Sequence, residues 1–219
     1  ATYRYFNNSV DLDLRYDTKN IRFHAGVSFD PQRTKMQYTR PSQIDTLITR
    51  SVFNVSPTLR FRYRMSKTNS IDIRYRGKAG QPSMTNLLDV VDNSDPLNIS
   101  MGNPGLKPSW TNTLRASYYG YNPARQAGIM AHLSFAHTTN SISTRVIYND
   151  ATGVRYSRPE NINGSWDLDG TFIYNFSFGK NKQFSLSTFT DVEFRNDVGF
   201  ISRISSPALA PALFQSLLR

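Results

Sequence analysis

From Phe53 to Met65 every odd position except Pro57 is apolar or aromatic (Phe53, Val55, Leu59, Phe61, Tyr63, Met65), and Asn54, Ser56, Thr58, Arg60, Arg62 and Arg64 stand between them. A strand turns successive side chains to opposite faces, so this run predicts one greasy face and one wet face. It is long for a soluble strand, which usually stops near five or six residues, and long enough to cross a bilayer, which takes about nine to eleven. The pattern recurs in Val10, Leu12, Leu14 and Tyr16, and again in Ile21, Phe23, Ala25, Val27 and Phe29. It returns in Leu114, Ala116 and Tyr118, then in Ile129, Ala131, Leu133 and Phe135. The stripe from Trp166 to Phe178 is the longest, and Phe184 to Phe194 follows it. Counted by length, about eight membrane strands result, with a ninth near Phe200 to Ile204. Such repetition predicts an all-β fold, an antiparallel transmembrane β-barrel.

Connections divide into two kinds. Asp17-Thr18-Lys19-Asn20, Ser66-Lys67-Thr68-Asn69 and Gly179-Lys180-Asn181-Lys182 are short and polar, and Tyr121 to Gly128 is slightly longer. These four are expected on one side, as periplasmic turns ringed by aromatics. Residues Asp30 to Arg50, Gly77 to Ser109 and Thr138 to Gly164 read as long irregular loops on the other, extracellular side. Within the third, Ile142 to Tyr148 and Val154 to Tyr156 flank Asn149-Asp150-Ala151-Thr152-Gly153 and predict a raised hairpin.

Composition narrows the class. Mean hydropathy is -0.48 and 38% of residues are hydrophobic, so no run reaches the roughly 18 apolar residues of a membrane helix. Barrel strands escape that average because only alternate residues meet lipid. Aromatics at 13%, led by 14 Phe and 12 Tyr, suit interfacial girdles. The absence of cysteine removes disulfides, thiolate nucleophiles and Cys-based zinc sites. No export signal reads at the start of the chain, as expected of a processed outer-membrane protein or a piece of one. From Ser205 to Arg219 no alternating strand is legible. An open sheet edge in lipid leaves costly unpaired amides, so residues 1–219 are expected to be one barrel segment, without a plug domain, of a larger barrel. Eight strands closing on themselves is the alternative.

A net charge of +10 raises nucleic acid as a partner, but the cations fall at strand spacing and no nucleic-acid-binding motif accompanies them. They occupy the wet phase together with acids. Arg60, Arg62, Arg64, Arg74 and Arg115 with Asp72, Asp167, Asp169, Asp191 and Glu193 are expected to form one ion network lining a lumen. His132 and His137 fall on opposite faces of a strand, so no metal site is expected, and no nucleophile motif or phosphate loop points to an enzyme or a cofactor. Tyr118, Tyr119 and Tyr121 read as interfacial aromatics rather than a sugar-stacking platform. Asn98-Ile99-Ser100 and Asn163-Gly164-Ser165 match the glycosylation sequon by chance.

The second long loop runs Asp92-Asn93-Ser94-Asp95-Pro96-Leu97-Asn98-Ile99-Ser100-Met101-Gly102-Asn103-Pro104-Gly105-Leu106-Lys107-Pro108, a series of turn formers. Its Gly102-Asn103-Pro104, Leu106 and Lys107-Pro108 resemble the segment that precedes a downward strand in the barrels of TonB-dependent receptors, particularly of the Bacteroidetes type. Ser109 stands where that family commonly has Glu. The resemblance implies a bacterial outer-membrane receptor for a nutrient, with a plug domain, a TonB-type energy coupler and a surface lipoprotein as partners and outer-membrane lipid or lipopolysaccharide around it. On that reading Asn93, Asp95, Asn98, Asn103 and Lys107 are candidate ligand contacts. A small structural or adhesive barrel without transport competes with it, and a soluble β-rich binding module is a third reading.

Overall fold

The structure is a computed structural model describing residues 2–40 and 44–204. Its larger sheet contains β1 (Thr2–Asn7), β2 (Val10–Asp17), β3 (Ile21–Arg40), β4 (Ile44–Arg64) and β5 (Asn69–Gly80). Four more strands continue it: β8 (Ser109–Asn122), β9 (Ala127–Thr139), β12 (Ser165–Phe178) and β13 (Phe184–Asn196). β1 and β2 pair end to end along β3, and the order then runs β3-β4-β5-β8-β9-β12-β13. Every pairing in this sheet is antiparallel.

Register turns the separate apolar stripes into one surface. Leu14, Ala25, Leu59, Tyr75, Leu114, Phe135, Leu168 and Phe194 follow one another as direct cross-strand neighbours across the sheet. Residues directly opposite share a face, so a single apolar face extends over all these strands. Leu14 is 65% exposed, Phe172 45% and Phe194 55%, a continuous greasy surface that a water-soluble protein would bury. β8 and β12 are each 14 residues long and β9 and β13 each 13, enough to cross the hydrocarbon layer at a tilt. Where Gly170 replaces a bulky side chain, Ala116, Ala131, Leu133, Phe172 and Val192 leave an apolar hollow of about 470 Å³. Acyl chains are its natural filling.

The four short turns lie at one end of this sheet. Gly179 (φ 95°) supports the last of them, where the Lys182 amide donates to the Gly179 carbonyl at 3.0 Å.

Two expectations change at the other end. Residues Asp30 to Arg50 are not an irregular loop: β3 and β4 stay paired from Ile21↔Tyr63 to Arg40↔Ile44. Pro31 does not break β3 because it faces the gap between β1 and β2, where the Asn8 amide donates to the Pro31 carbonyl at 3.3 Å. A residue's N–H and C=O point the same way in a strand, so the missing proline donor costs no ladder bond. Pro57 sits just beyond the last β4-β5 pair, Thr58↔Arg76. Above it the β3-β4 hairpin leaves the rest of the sheet and continues with β1 as a three-stranded blade. The residues Pro41 to Gln43 lie outside the described residues, as does the tail from Ser205.

The second change concerns the expected ninth membrane strand. Phe200–Ile204, β14, belongs to a separate sheet of order β14-β10-β11-β7-β6. Its other members are β6 (Val91–Asp95), β7 (Asn98–Met101), β10 (Ser141–Asn149) and β11 (Arg155–Ile162). Five residues are too few to cross a bilayer, and β14 pairs in parallel with β10 instead. The hairpin expected in the third connection is present as β10 and β11. Leu87, Leu88, Met101, Leu106 and Ile147 are buried. They come from segments far apart in sequence.

Candidate functional site

On the wet face the cations are crowded. Arg22 lies directly opposite Arg62, His24 opposite Arg60, Arg60 opposite Arg74, and Arg74 opposite Arg115. Like charges in such positions oppose pairing of the strands. Asp72 is the principal relief. Its Oδ2 accepts from Arg60 Nη2 at 2.8 Å and Nε at 3.1 Å, and its Oδ1 from Arg74 Nε at 2.6 Å. Arg62 Nε stands 4.0 Å away. The Asp72 side chain is 13% exposed while Arg60 and Arg74 are 45% and 56% exposed, so one shielded carboxylate anchors three solvent-facing guanidiniums. At the sheet edge Asp13 Oδ1 bonds His24 Nε2 at 2.6 Å. Arg76 and Arg115 carry no ion pair among the described residues. They join His24, Arg60, Arg74 and Lys78 around a concavity of about 520 Å³.

The acids expected to complete this network are elsewhere. Asp167 and Asp169 lie on β12, Asp191 and Glu193 on β13. Between them and Arg115 runs β9, which turns neutral Ser134 and Ala136 to this face together with His132, bonded to Ser117 at 2.9 Å. Asp167 and Asp169 lie two strand spacings from Arg115, about 10 Å, and no ion pair joins the two groups among the described residues. The ten residues therefore form two fields, one basic and one acidic, with Asp72 alone among the basic group. Asp191 accepts from Thr171 Oγ1 at 2.8 Å, Glu193 pairs with Arg195 at 3.5 Å, and Asp169 faces Glu193 directly. Arg64 marks the turn end, its amide donating to the Asn20 carbonyl at 2.7 Å.

An inward apolar band escaped the alternation rule. Tyr119, Met130, Ile173 and Phe189 are successive cross-strand neighbours in the wet phase near the short turns. Phe189 is 66% exposed. Tyr119 and Tyr121 share that phase while Tyr118 faces the apolar side, so the three tyrosines make no common platform.

Three of the second connection's candidate ligand contacts, Asp95, Asn98 and Asn103, make hydrogen bonds within the protein. Asp95 accepts from Asn98 Nδ2 at 2.7 Å and from the Leu97 amide at 2.9 Å. The Asn98 amide group, then the Leu97 N–H, hold the Asp95 carboxyl below the usual carboxylate range. Asn103 Nδ2 donates to the Pro159 carbonyl at 2.9 Å and its Oδ1 receives Arg158 Nη2 at 3.2 Å. Asn161 grips the Lys107 backbone, accepting its N–H at 2.8 Å and donating to its carbonyl at 2.9 Å. The Asn103 amide reaches the Asn86 carbonyl at 2.5 Å. At Gly102 a Cβ would run into the Leu88 carbonyl oxygen, so the Gly-Asn-Pro element is a clasp. Asn93 and the Lys107 side chain remain exposed. Asn161, which sequence reasoning missed, also donates to the Asn140 carbonyl at 2.8 Å. Asn161→Ala is expected to weaken the smaller sheet by about 1–2 kcal/mol, read as faster amide exchange at Lys107 with membrane insertion unchanged.

Strands that span a bilayer, apolar on one side and charged on the other, define the wall of a transmembrane β-barrel. The model of the outer membrane protein beta-barrel family matches residues 2–206. The chain belongs to that family, and its place is the bacterial outer membrane. No curated protein matches the sequence. Among solved structures, the siderophore receptor PirA from Acinetobacter baumannii is similar over 86% of this chain and 37% of that one, at 11% identity and a TM-score of 0.47.

Proposed function

We propose that this chain is part of a larger outer-membrane receptor barrel that imports a nutrient, driven through a TonB-type complex, with its long connections facing outward. The observation that carries the reading is the crowded basic wall around Asp72, whose Arg76 and Arg115, without an ion pair among the described residues, call for an anionic occupant of the lumen. The inward band of Tyr119, Met130, Ile173 and Phe189 supports the same view, since apolar side chains facing a lumen gain from a plug domain that covers them. Unpaired outer edges at β13 and at β1 with β2, among the described residues, favour closure by further strands over a small eight-strand barrel.

Two measurements in cells test this. In the full-length protein, Ser94→Cys should react with a membrane-impermeant thiol reagent and Thr68→Cys should not, a clean comparison in a chain without cysteine. Reaction at Thr68 alone would reverse the orientation. Crosslinking of the full-length protein to the TonB-type coupler should depend on the proton gradient, and no crosslink in energised cells would count against transport.

A further inference from the structure

The blade of β1, β3 and β4 carries a second basic patch, on the opposite face from the lumen wall. Following the lipid phase upward along β3, Phe29 and Pro31 are succeeded by Arg33 and Lys35. Register places Phe6, Arg33 and Ser51 in one cross-strand row and Arg4, Lys35 and Thr49 in the next. The pairing of β1, β2 and β4 with β3 runs through this stretch without a shift, so these side chains share the face of Val10, Phe29, Val55 and Phe53. Arg4, Arg33 and Lys35 are exposed and carry no ion pair among the described residues, and neither row contains an acid.

Depth gives the patch its meaning. From Ile21 to Pro31 a strand tilted by about 40° climbs roughly 26 Å, the height of a barrel's apolar band. Arg33 and Lys35 then stand roughly 5 and 10 Å higher, in the headgroup layer. There, facing outward, they cannot meet a solute in the lumen. Arg4 and Lys35 oppose each other directly, an arrangement that an anion between them relieves. Guanidinium forks and an ammonium suit phosphate oxygens, and Phe6, 63% exposed just below, suits the acyl boundary. We infer that Arg4, Arg33 and Lys35 form a site for the phosphorylated sugar headgroup of lipopolysaccharide in the outer leaflet. The choice of leaflet rests on the orientation proposed above.

The test uses full-length protein in phosphatidylcholine nanodiscs containing labelled lipopolysaccharide or, separately, phosphatidylglycerol. The triple variant Arg4→Thr, Arg33→Thr and Lys35→Thr should bind lipopolysaccharide roughly tenfold or more weakly, because phosphates carried on one sugar headgroup engage several of these cations at once, which single glycerophosphate headgroups do not. Phosphatidylglycerol association should change little. Arg50→Thr removes a cation from the other face of the same hairpin and should leave both unchanged. Thermal unfolding of each variant separates loss of binding from loss of fold, and the single variant Lys35→Thr serves if the triple does not fold. Equal lipopolysaccharide binding by variant and parent would overturn the inference, as would an equal loss of phosphatidylglycerol. Nanodiscs present lipid to both membrane faces, so this result is independent of orientation. Labelling at Thr68 without Ser94 would put the patch at the inner leaflet and overturn the lipopolysaccharide assignment separately.

Discussion

Phe61→Arg and Phe172→Arg are each expected to block membrane insertion. Both side chains belong to the apolar face, Phe61 between Phe23 and Ile73 and Phe172 between Ala131 and Thr190. Phe172 stands at the middle of its strand's lipid stripe, where an arginine costs about 2–4 kcal/mol, and Phe61 lies inside its own stripe nearer the short turns, where the cost is toward the lower figure. Folding into vesicles, followed by heat-modifiable gel mobility, measures the loss. Thr171→Arg moves the same charge one residue on, to the wet face opposite Asp191, and should fold normally. Thr58→Arg is a poorer control because Thr58 faces Arg76 and packs against Gly26, so it adds a cation where cations already crowd. Equal tolerance of Phe172→Arg and Thr171→Arg would remove the lipid face from the account.

Asp72→Asn should destabilise the folded barrel by about 2–3 kcal/mol. The lower figure reflects the exposure of Arg60 and Arg74, which water screens, and the higher the shielding of Asp72 itself. The loss should shrink in 1 M salt, where the Debye length falls to about 3 Å. Asp169→Asn offers the contrast. Its carboxylate faces Glu193, so neutralising it should leave stability unchanged or slightly improved. Urea unfolding midpoints in one detergent, at low and high salt, check both substitutions.

The membrane strands were legible because their signal is local. Alternation in Phe53 to Met65 or Trp166 to Phe178 depends only on the two-residue repeat of a strand, and the short turns punctuate it. Register was not legible: that Arg60, Arg74 and Arg115 fall side by side, while Asp167 and Asp169 lie beyond β9, depends on turn lengths and pairing that no single strand encodes. Residues Asp30 to Arg50 read as a loop because the sequence does not show which neighbour Pro31, with its missing donor, faces. That Asn103 and Lys107 are tied into the loop's own framework was hidden for a similar reason. Polar side chains in a turn-rich loop give no sign that Pro159 and Arg158 hold the Asn103 side chain, or that Asn161, more than fifty positions away, holds the Lys107 backbone. Phe200–Ile204, Phe-Ile-Ser-Arg-Ile, has strand-forming residues without the alternation of a membrane strand, and its five residues had to be weighed against bilayer thickness.

Spin labels placed singly along β12 of the full-length protein in vesicles test the central claim most directly. Labels at Leu168, Phe172 and Tyr174 should be relaxed strongly by oxygen dissolved in the bilayer and weakly by a water-soluble nickel chelate. Labels at Asp167, Asp169 and Thr171 should show the reverse, giving a repeat of two residues through the membrane. A profile without that repeat, or nickel access at both sets of positions, would contradict a strand with one face in lipid.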